Sequence, residues 1–306
     1  MIDIIGKRYW FFLISALVII PGIISLAIFG LKPGVDFSSG STMTLRFSGG
    51  VEQSQLRQEL VELGYDEAVI QRTGEGDSLI RLREITPGQK EKLVEDLEAG
   101  LGCEATVRDY YSVSPVVATK IGQDALIAIS AAAVFMLLYI VWAFHRMPKP
   151  FRWGMCAVAG LVHDLLVVIG IFSILGWIGG VEINALFITG MLAVVGYSVN
   201  DSIVVFDRIR ENMSRGISRD FEVVVNSGIV ETLGRSLNTS LTTLFVVLAV
   251  FLFGGVTIHH FILVLLIGII TGTYSSIGCA SSLLVVWERG EWGRFVSWLP
   301  FVRKPT

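Results

Sequence analysis

The stretch MLAVVGYSVNDSIVVF, residues 191–206, is apolar over almost its whole length but carries Asp201 next to Asn200. A membrane-crossing helix needs about 20 mostly apolar residues, and the window 183–206 around this stretch contains no Lys or Arg. A carboxylate at the centre of a bilayer costs on the order of 3 kcal/mol, so an acid that stays there points to a function. The stretch therefore predicts a membrane span with a functional acidic residue.

The composition of the whole chain agrees with a membrane protein. Of its 306 residues, 53% are hydrophobic and 17% are charged, and the mean hydropathy is +0.67. Soluble domains carry about 25% charged residues, so this chain has too few to cover a soluble surface. A net charge of −3 provides no field that attracts nucleic acid. Three widely spaced cysteines predict neither a zinc site nor a disulfide framework.

Five further windows are long and apolar enough to cross a bilayer, so the expected fold is a polytopic α-helical membrane protein with six transmembrane helices. A cleavable signal peptide is the alternative for the first window, but its length and the lack of an A-x-A site favour a retained anchor. Within all six windows the charged residues are Asp164 and Asp201 alone. The windows are 9–31, 125–144, 153–176, 183–206, 237–254 and 261–287.

The Lys and Arg residues of the short loops predict the orientation of the chain. Fourteen of them lie at the amino terminus, in the loops after the second and fourth windows, and in the tail. The loops 177–182 and 255–260 have none. We therefore expect both termini in the cytoplasm and segment 32–124 outside. The tail around Phe295 and Trp298 is expected to lie along the membrane surface.

The outside segment has the composition and the periodicity of a soluble domain, with ten basic and sixteen acidic residues. Thr86 and Gln89 form a capping-box pattern that starts a helix. The order βαββαβ is that of a small α+β ferredoxin-like domain. The expected elements are strand 42–47, helix 52–63, strand 68–73, strand 80–83, helix 87–101 and strand 104–113.

Three polar residues in or beside the windows are candidates for chemistry. Asp201 leads, because a carboxyl group enclosed in the membrane can take up and release a proton; a polar cluster for helix packing is the alternative. Asp164, beside His163, is equally well explained by a hydrogen bond into the bundle. Arg235 is either an ordinary basic residue on the cytoplasmic side or a partner for ionised Asp201. It opens a polar face of the fifth window that continues with Asn238, Thr239, Thr242 and Thr243.

Other patterns concern packing more than chemistry. Small residues at every fourth position of the sixth window predict close helix packing, with a sliding surface as the alternative; they are Gly268, Gly272, Ser276 and Ala280. Apolar residues at 221–233 predict an amphipathic helix on the inner membrane surface. Gly34 and Asp36 predict a structural turn after the first span, with capping or binding as the alternative. The sequence has no P-loop and no metal or nucleophile motif, so we expect no cofactor, no metal and no covalent catalysis.

Several of these stretches resemble the SecD/SecF family of bacterial protein-export membrane subunits. The matching residues are GVDF at 34–37, HD at 163–164, the long run VGYSVNDSIVVFDRIREN at 195–212, and the run 235–243 at the start of the fifth window. The family is similar to half of an RND-type transporter. One span, a small outside domain and five further spans match over essentially the whole chain. The 93 residues of segment 32–124 favour the SecF branch, because SecD has a much longer outside region.

The resemblance implies an accessory subunit of Sec-dependent protein export in the inner membrane. It implies pairing with SecD and work with the SecYEG channel, where the proton motive force promotes preprotein translocation after the ATP-driven step of SecA. The family's proton-relay aspartate and its arginine match Asp201 and Arg235. We expect a supporting polar cluster around them, formed by Asp164, Asn200, Ser198 and Thr239.

The apolar windows and the loop charges divide the chain into four parts, and the resemblance identifies the outside one. Residues 1–31 are the cytoplasmic amino terminus and the first helix, and 32–124 match the family's P1 domain. Residues 125–287 are helices two to six with the cytoplasmic loop between the fourth and the fifth, and 288–306 are a cytoplasmic tail. The expected partners are membrane lipid and the export proteins, not nucleic acid.

Two rival functions remain open, a small-molecule or lipid efflux pump and a scaffold that moves no protons. The length of the chain disfavours the pump.

Overall fold

The computed structural model describes residues 2–72, 76–255 and 258–292. The chain divides into two compact units, one formed by Pro33–Leu126 and the other by Met1–Lys32 with Ile127–Thr306. The tail around Phe295 and Trp298, which is expected to lie along the membrane surface, is outside the described residues.

Six helices in the described part of the chain are long and apolar enough to cross a membrane, which confirms the six-span fold. We call them spans one to six. Span six is interrupted by a π-helical segment, Ser275–Ala280, between the α-helices His259–Tyr274 and Ser281–Arg289. The other spans are Arg8–Phe29, Pro115–Ala143, Pro150–Gly179, Ala185–Arg215 and Phe221–Phe253.

Spans four and five extend well beyond their apolar windows and leave only residues 216–220 between them. Ion pairs between neighbouring turns, such as Arg210 with Asp207, support the charged end of span four. The amphipathic helix expected on the membrane surface is instead the first part of span five. Its apolar residues Val225 and Ile229 are buried in the core of the bundle, so they pack against protein.

Glycines allow the spans to approach closely. A Cβ atom added at Gly22 of span one would lie 2.8 Å from the Cα atom of Gly170 in span three. At Gly268 of span six it would lie 2.0 Å from a methyl carbon of Val194 in span four. Such contacts leave no room for a side chain, so the small-residue stripe predicted in span six is confirmed as a packing surface.

The other unit contains a four-stranded antiparallel sheet, and its strands in chain order are β1 Gly40–Phe47, β2 Val69–Arg72, β3 Ser78–Leu82 and β4 Ala105–Val113. In the sheet they lie in the order β2-β3-β1-β4. Both split βαβ units of a ferredoxin-like domain are present, so the predicted order βαββαβ is confirmed. The one-turn helix Val35–Ser38 precedes β1 and was not predicted. The two longer helices of the unit are Gln53–Glu62 and Pro87–Leu101.

The core of this unit lies between one face of the sheet and its two longer helices. Alternate residues of β1 and β3, among them Met43, Leu45 and Ile80, are almost completely buried there with Leu60 and Leu97 of the helices. The period-two pattern of the sequence therefore selects the buried face. The capping box at the start of the second long helix is also confirmed, because the side chains of Thr86 and Gln89 bind each other's backbone N–H groups.

Candidate functional site

Asp201 of span four is enclosed where spans four, five and six meet. Its side chain is 2% exposed, and its Oδ2 atom accepts hydrogen bonds from Ser240 Oγ at 3.3 Å and from Thr273 Oγ1 at 3.4 Å. The two hydroxyl groups are also 2.6 Å apart. Within the described residues no basic side chain contacts Asp201, so its negative charge, when present, is met by hydroxyl dipoles alone.

The other residues expected around Asp201 lie elsewhere on their helices. Asn200 is exposed, although it is adjacent in sequence. Arg235 and Thr239 of span five are exposed too, and the Thr239 hydroxyl donates to the backbone oxygen of Arg235 at 3.0 Å. The predicted polar face of span five therefore points away from the bundle, and a neighbouring face carries Ser240 to the acid.

Asp164 and Ser198, both expected in the supporting cluster, do contact each other. Ser198 Oγ donates to Asp164 Oδ2 at 2.6 Å, and Ser275 Oγ of span six donates to the same atom at 2.8 Å. Span six comes close here because Gly272 has no side chain: an added Cβ atom would lie 3.6 Å from Asp164 Oδ2. Spans three, four and six thus meet around a completely buried carboxyl group.

The imidazole of His163 extends this cluster to span one. Its Nδ1 atom lies 3.0 Å from Asp164 Oδ1, and its Nε2 atom lies 3.0 Å from Ser15 Oγ. Ser15 in turn lies 3.3 Å from the hydroxyl of Tyr274 and 3.1 Å from Cys279 Sγ. Polar groups from four spans are therefore joined in one buried network.

Several members of these two clusters were missed from the sequence. Ser240 belongs to a stripe of small buried residues at every fourth position of span five, and that spacing was the available signal. The stripe runs through Gly228, Thr232, Ser236 and Ser240. Ser15, Thr273 and Ser275 gave no such signal, because a single hydroxyl in an apolar helix has many explanations.

The turn after span one is built around Gly34 and Asp36. Ser38 Oγ donates to the Gly34 carbonyl oxygen at 2.9 Å, and the buried carboxylate of Asp36 accepts a hydrogen bond from Tyr111 of β4. Partial burial and this hydrogen bond raise the pKa of Tyr111 above its ordinary value. Asp36 thus has a structural partner, in agreement with the expected structural turn.

No group of three His, Cys, Asp or Glu side chains in the described part of the chain is arranged to hold a metal ion. The polar groups at the two acids are hydroxyl groups and one imidazole, which can accept, donate or pass protons. Groups of these kinds are chemically able to bind and release protons.

Comparison with known proteins identifies the family. Residues 93–290 match the family described as "Protein export membrane protein SecD/SecF, C-terminal", and residues 24–51 match the "SecD/SecF GG Motif". The protein translocase subunit SecF of Thermobaculum terrenum is 46% identical over 96% of this chain and 96% of its own length. The protein translocase subunit SecDF of Bacillus subtilis is 31% identical over 94% of this chain but only 38% of its own length.

A solved structure has the same fold. The crystal structure of SecDF from Thermus thermophilus, described as a translocon-associated membrane protein, superimposes with a TM-score of 0.81 and 32% identity. It covers 94% of this chain, and this chain spans 39% of that longer one. The family matches cover most of the sequence and agree with the six spans and the four-stranded domain. The chain therefore belongs to the SecD/SecF family of protein-export membrane proteins.

Proposed function

We propose that this export subunit is driven by the proton gradient and that Asp201 is the group that takes up and releases the proton. The observation that carries the proposal is the environment of Asp201: a nearly inaccessible carboxyl group inside a membrane span, with only hydroxyl donors around it. An unpaired carboxylate in that place is costly. Its protonation state therefore changes how strongly spans four, five and six hold together.

The response to that charge is assigned to Arg235. It lies five residues before Ser240 on the same helix, and its side chain is exposed at the surface of the described bundle. A long guanidinium side chain can reach along the helix toward a charged group while its stem stays in apolar surroundings. A rotation or shift of span five would bring the arginine closer to ionised Asp201, and protonation of the acid would release it.

A second six-span protein is the proposed partner, and SecD is its identity. The exposed polar face of span five carries Arg235, Asn238, Thr239 and Thr242, which would be unfavourable against lipid tails. The related SecDF chains are more than twice as long as the region that this chain matches, so they contain the additional sequence within one polypeptide. We propose that SecD covers this face.

The remaining assignments follow the family. The subunit lies in the inner membrane with both termini in the cytoplasm, and it assists SecYEG-dependent export of preproteins after the SecA step. It performs no covalent catalysis and needs no cofactor, since the proton gradient supplies the energy. The basic residues of the short loops support the orientation. The absence of a nucleotide or metal motif in the sequence supports a subunit without a cofactor.

The substitution Asp201→Asn tests the proton role. Inner-membrane vesicles that contain the variant with SecD and the channel should export a preprotein at the rate of vesicles without a proton gradient. Asp207→Asn, an exposed acid six residues further along the same span, is the matched control and should keep the stimulation by the gradient. Full stimulation of Asp201→Asn at normal protein levels would instead favour a scaffold that moves no protons.

The partner is tested on the exposed face of span five. Thr239→Cys should form a disulfide or maleimide cross-link to single cysteines in SecD, whereas a cysteine at the buried Ser236 should not. Recovery of the chain as a lone monomer from a mild detergent would contradict the pairing.

Labelling of Cys103 from the outer side by a reagent that cannot cross the membrane tests the orientation, because Cys103 is partly exposed in the small domain.

A further inference from the structure

The second buried acid, Asp164 of span three, is held in a different way from Asp201. Its Oδ2 atom already accepts two hydrogen bonds, from Ser198 and Ser275, and its Oδ1 atom faces Nδ1 of His163 at 3.0 Å. With both accepting positions of Oδ2 in use, an exchangeable proton at this carboxyl group lies between Oδ1 and the imidazole.

The charge of the pair decides whether that proton stays. With it, the pair is neutral overall, either as carboxylate and imidazolium or as carboxylic acid and imidazole. Without it, Asp164 is an uncompensated anion with no exposed surface in the middle of a bundle, which is strongly unfavourable. The lower free energy of the neutral pair favours retention of one shared proton.

The side chains that contact this pair in the described residues carry no fixed positive charge, so His163 and Asp164 are each other's charge partners. Span one contributes Ser15, span four contributes Ser198, and span six contributes Ser275 with the titratable side chains Tyr274 and Cys279. Across the residues that the structure describes, no Lys or Arg side chain contacts His163 or Asp164. The imidazole is thus the basic group available to compensate the carboxylate.

The pair is also close to the first acid. Ser198 and Asp201 lie on one buried face of span four, three residues and about 4.5 Å of helical rise apart. On span six, Thr273 bonds to Asp201 and Ser275 bonds to Asp164. Ser275 begins the π-helical segment, and such segments occur frequently at functional sites. A movement of span six against span four changes the surroundings of both acids together.

We propose that Asp164 and His163 form a second proton-binding site, which shares one proton between them and is coupled to Asp201 through spans four and six. Ser15 extends the site to span one. The role of this site in export rests on the proposed function of Asp201. The shared proton itself is a property of the folded chain and is measured without export.

Nitrogen NMR of the histidines tests the shared proton. The full chain, labelled with 15N-histidine, is reconstituted in lipid vesicles with unlabelled SecD, and the variant His163→Asn identifies the signal of His163 among the four histidines. We expect a ring that carries one proton at Nε2 and carries or shares a second proton at Nδ1, and loss of the second proton in Asp164→Asn. A neutral ring with a proton at Nδ1 alone in the wild type would overturn the shared proton. Ser15→Ala should shift the Nε2 signal. Ser25→Ala removes another buried serine of span one, which bonds to Ser173 instead, and should leave both signals unchanged.

The coupling and the proposed function give separate outcomes. Asp201→Asn should shift the His163 signal, whereas Asp207→Asn should not. A His163 signal that is identical in wild type and Asp164→Asn would overturn the second site even if Asp201→Asn abolishes gradient-driven export. Conversely, if export survives Asp201→Asn but the signal still depends on Asp164, the proposed function is wrong and the second site stands. An unchanged signal in Asp201→Asn would overturn the coupling.

Discussion

One methyl group at Gly268 is expected to weaken the contact between spans four and six, whose hydroxyl groups hydrogen-bond to both acids. A Cβ atom added there would lie 2.0 Å from Cγ2, 2.7 Å from Cγ1 and 2.9 Å from Cβ of Val194. Carbon atoms attract at about 3.5–4.0 Å, so Gly268→Ala forces the helices apart. Overpacking of this kind costs about 1–3 kcal/mol, which lowers the ratio of folded to unfolded protein by roughly 5- to 150-fold.

Thermal unfolding of the full chain in detergent measures this cost. Gly196→Ala on span four is the control, because its added methyl group meets nothing within 4 Å and reports only the intrinsic helix preference of alanine. Val194→Ala removes both Cγ atoms, so the double variant should lose less stability than the two single variants together. Equal unfolding of Gly268→Ala and Gly196→Ala, or strict additivity with Val194→Ala, would refute the close contact.

Two further predictions concern the small domain and the start of span five. Gly40→Ala should destabilise the domain by about 1–3 kcal/mol, because Gly40 has a φ of +129° and an added Cβ would lie 2.6 Å from the Leu82 carbonyl oxygen. Hydrogen exchange of the sheet amides in the full chain measures this, and Gly88→Ala, with open space around it, should match the wild type. Asp220 caps span five and pairs with Arg289, which lowers the pKa of Asp220. Its stabilisation is therefore present above the ordinary value of about 3.9 and is lost as the pH falls through the lowered pKa. Asp220→Asn should remove this acid-dependent loss. The prediction is contradicted if the free energy of unfolding depends on pH in the same way below pH 4 in both proteins.

The small domain and the existence of the spans could be predicted because their signals are local. The alternation of apolar and polar residues in β1 and β3 and the capping box at Thr86 each depend on residues that are close in sequence. The structure has each of them where it was expected. The ends of spans four and five could not be predicted from hydropathy. A helix continues through charged residues such as Arg208 when ion pairs such as that with Glu211 support its turns, while a hydropathy window ends there.

The rotation of span five about its own axis is the main difference between the predicted and the observed site. Polar residues occupy two adjacent faces of this helix, one with Arg235 and Thr239 and one with Ser236 and Ser240. Sequence spacing alone does not say which face meets Asp201, because that depends on how the helix is rotated against spans four and six. Likewise, nothing local connects Ser15 with His163, which is 148 residues away, since the packing of span one on span three brings them together.

The two buried acids differ in what neutralises them, and this difference assigns them different roles. In the proposed second site, the charge of Asp164 is compensated by an imidazole of its own chain, whatever partner is bound. Asp201 has only hydroxyl neighbours in the described residues, so its compensation comes either from a proton or from a cation that approaches. Arg235 lies on the exposed face of the adjacent helix, where a partner protein would also lie. The charge state of Asp201 is therefore expected to depend on events outside the bundle, as its proposed coupling role requires.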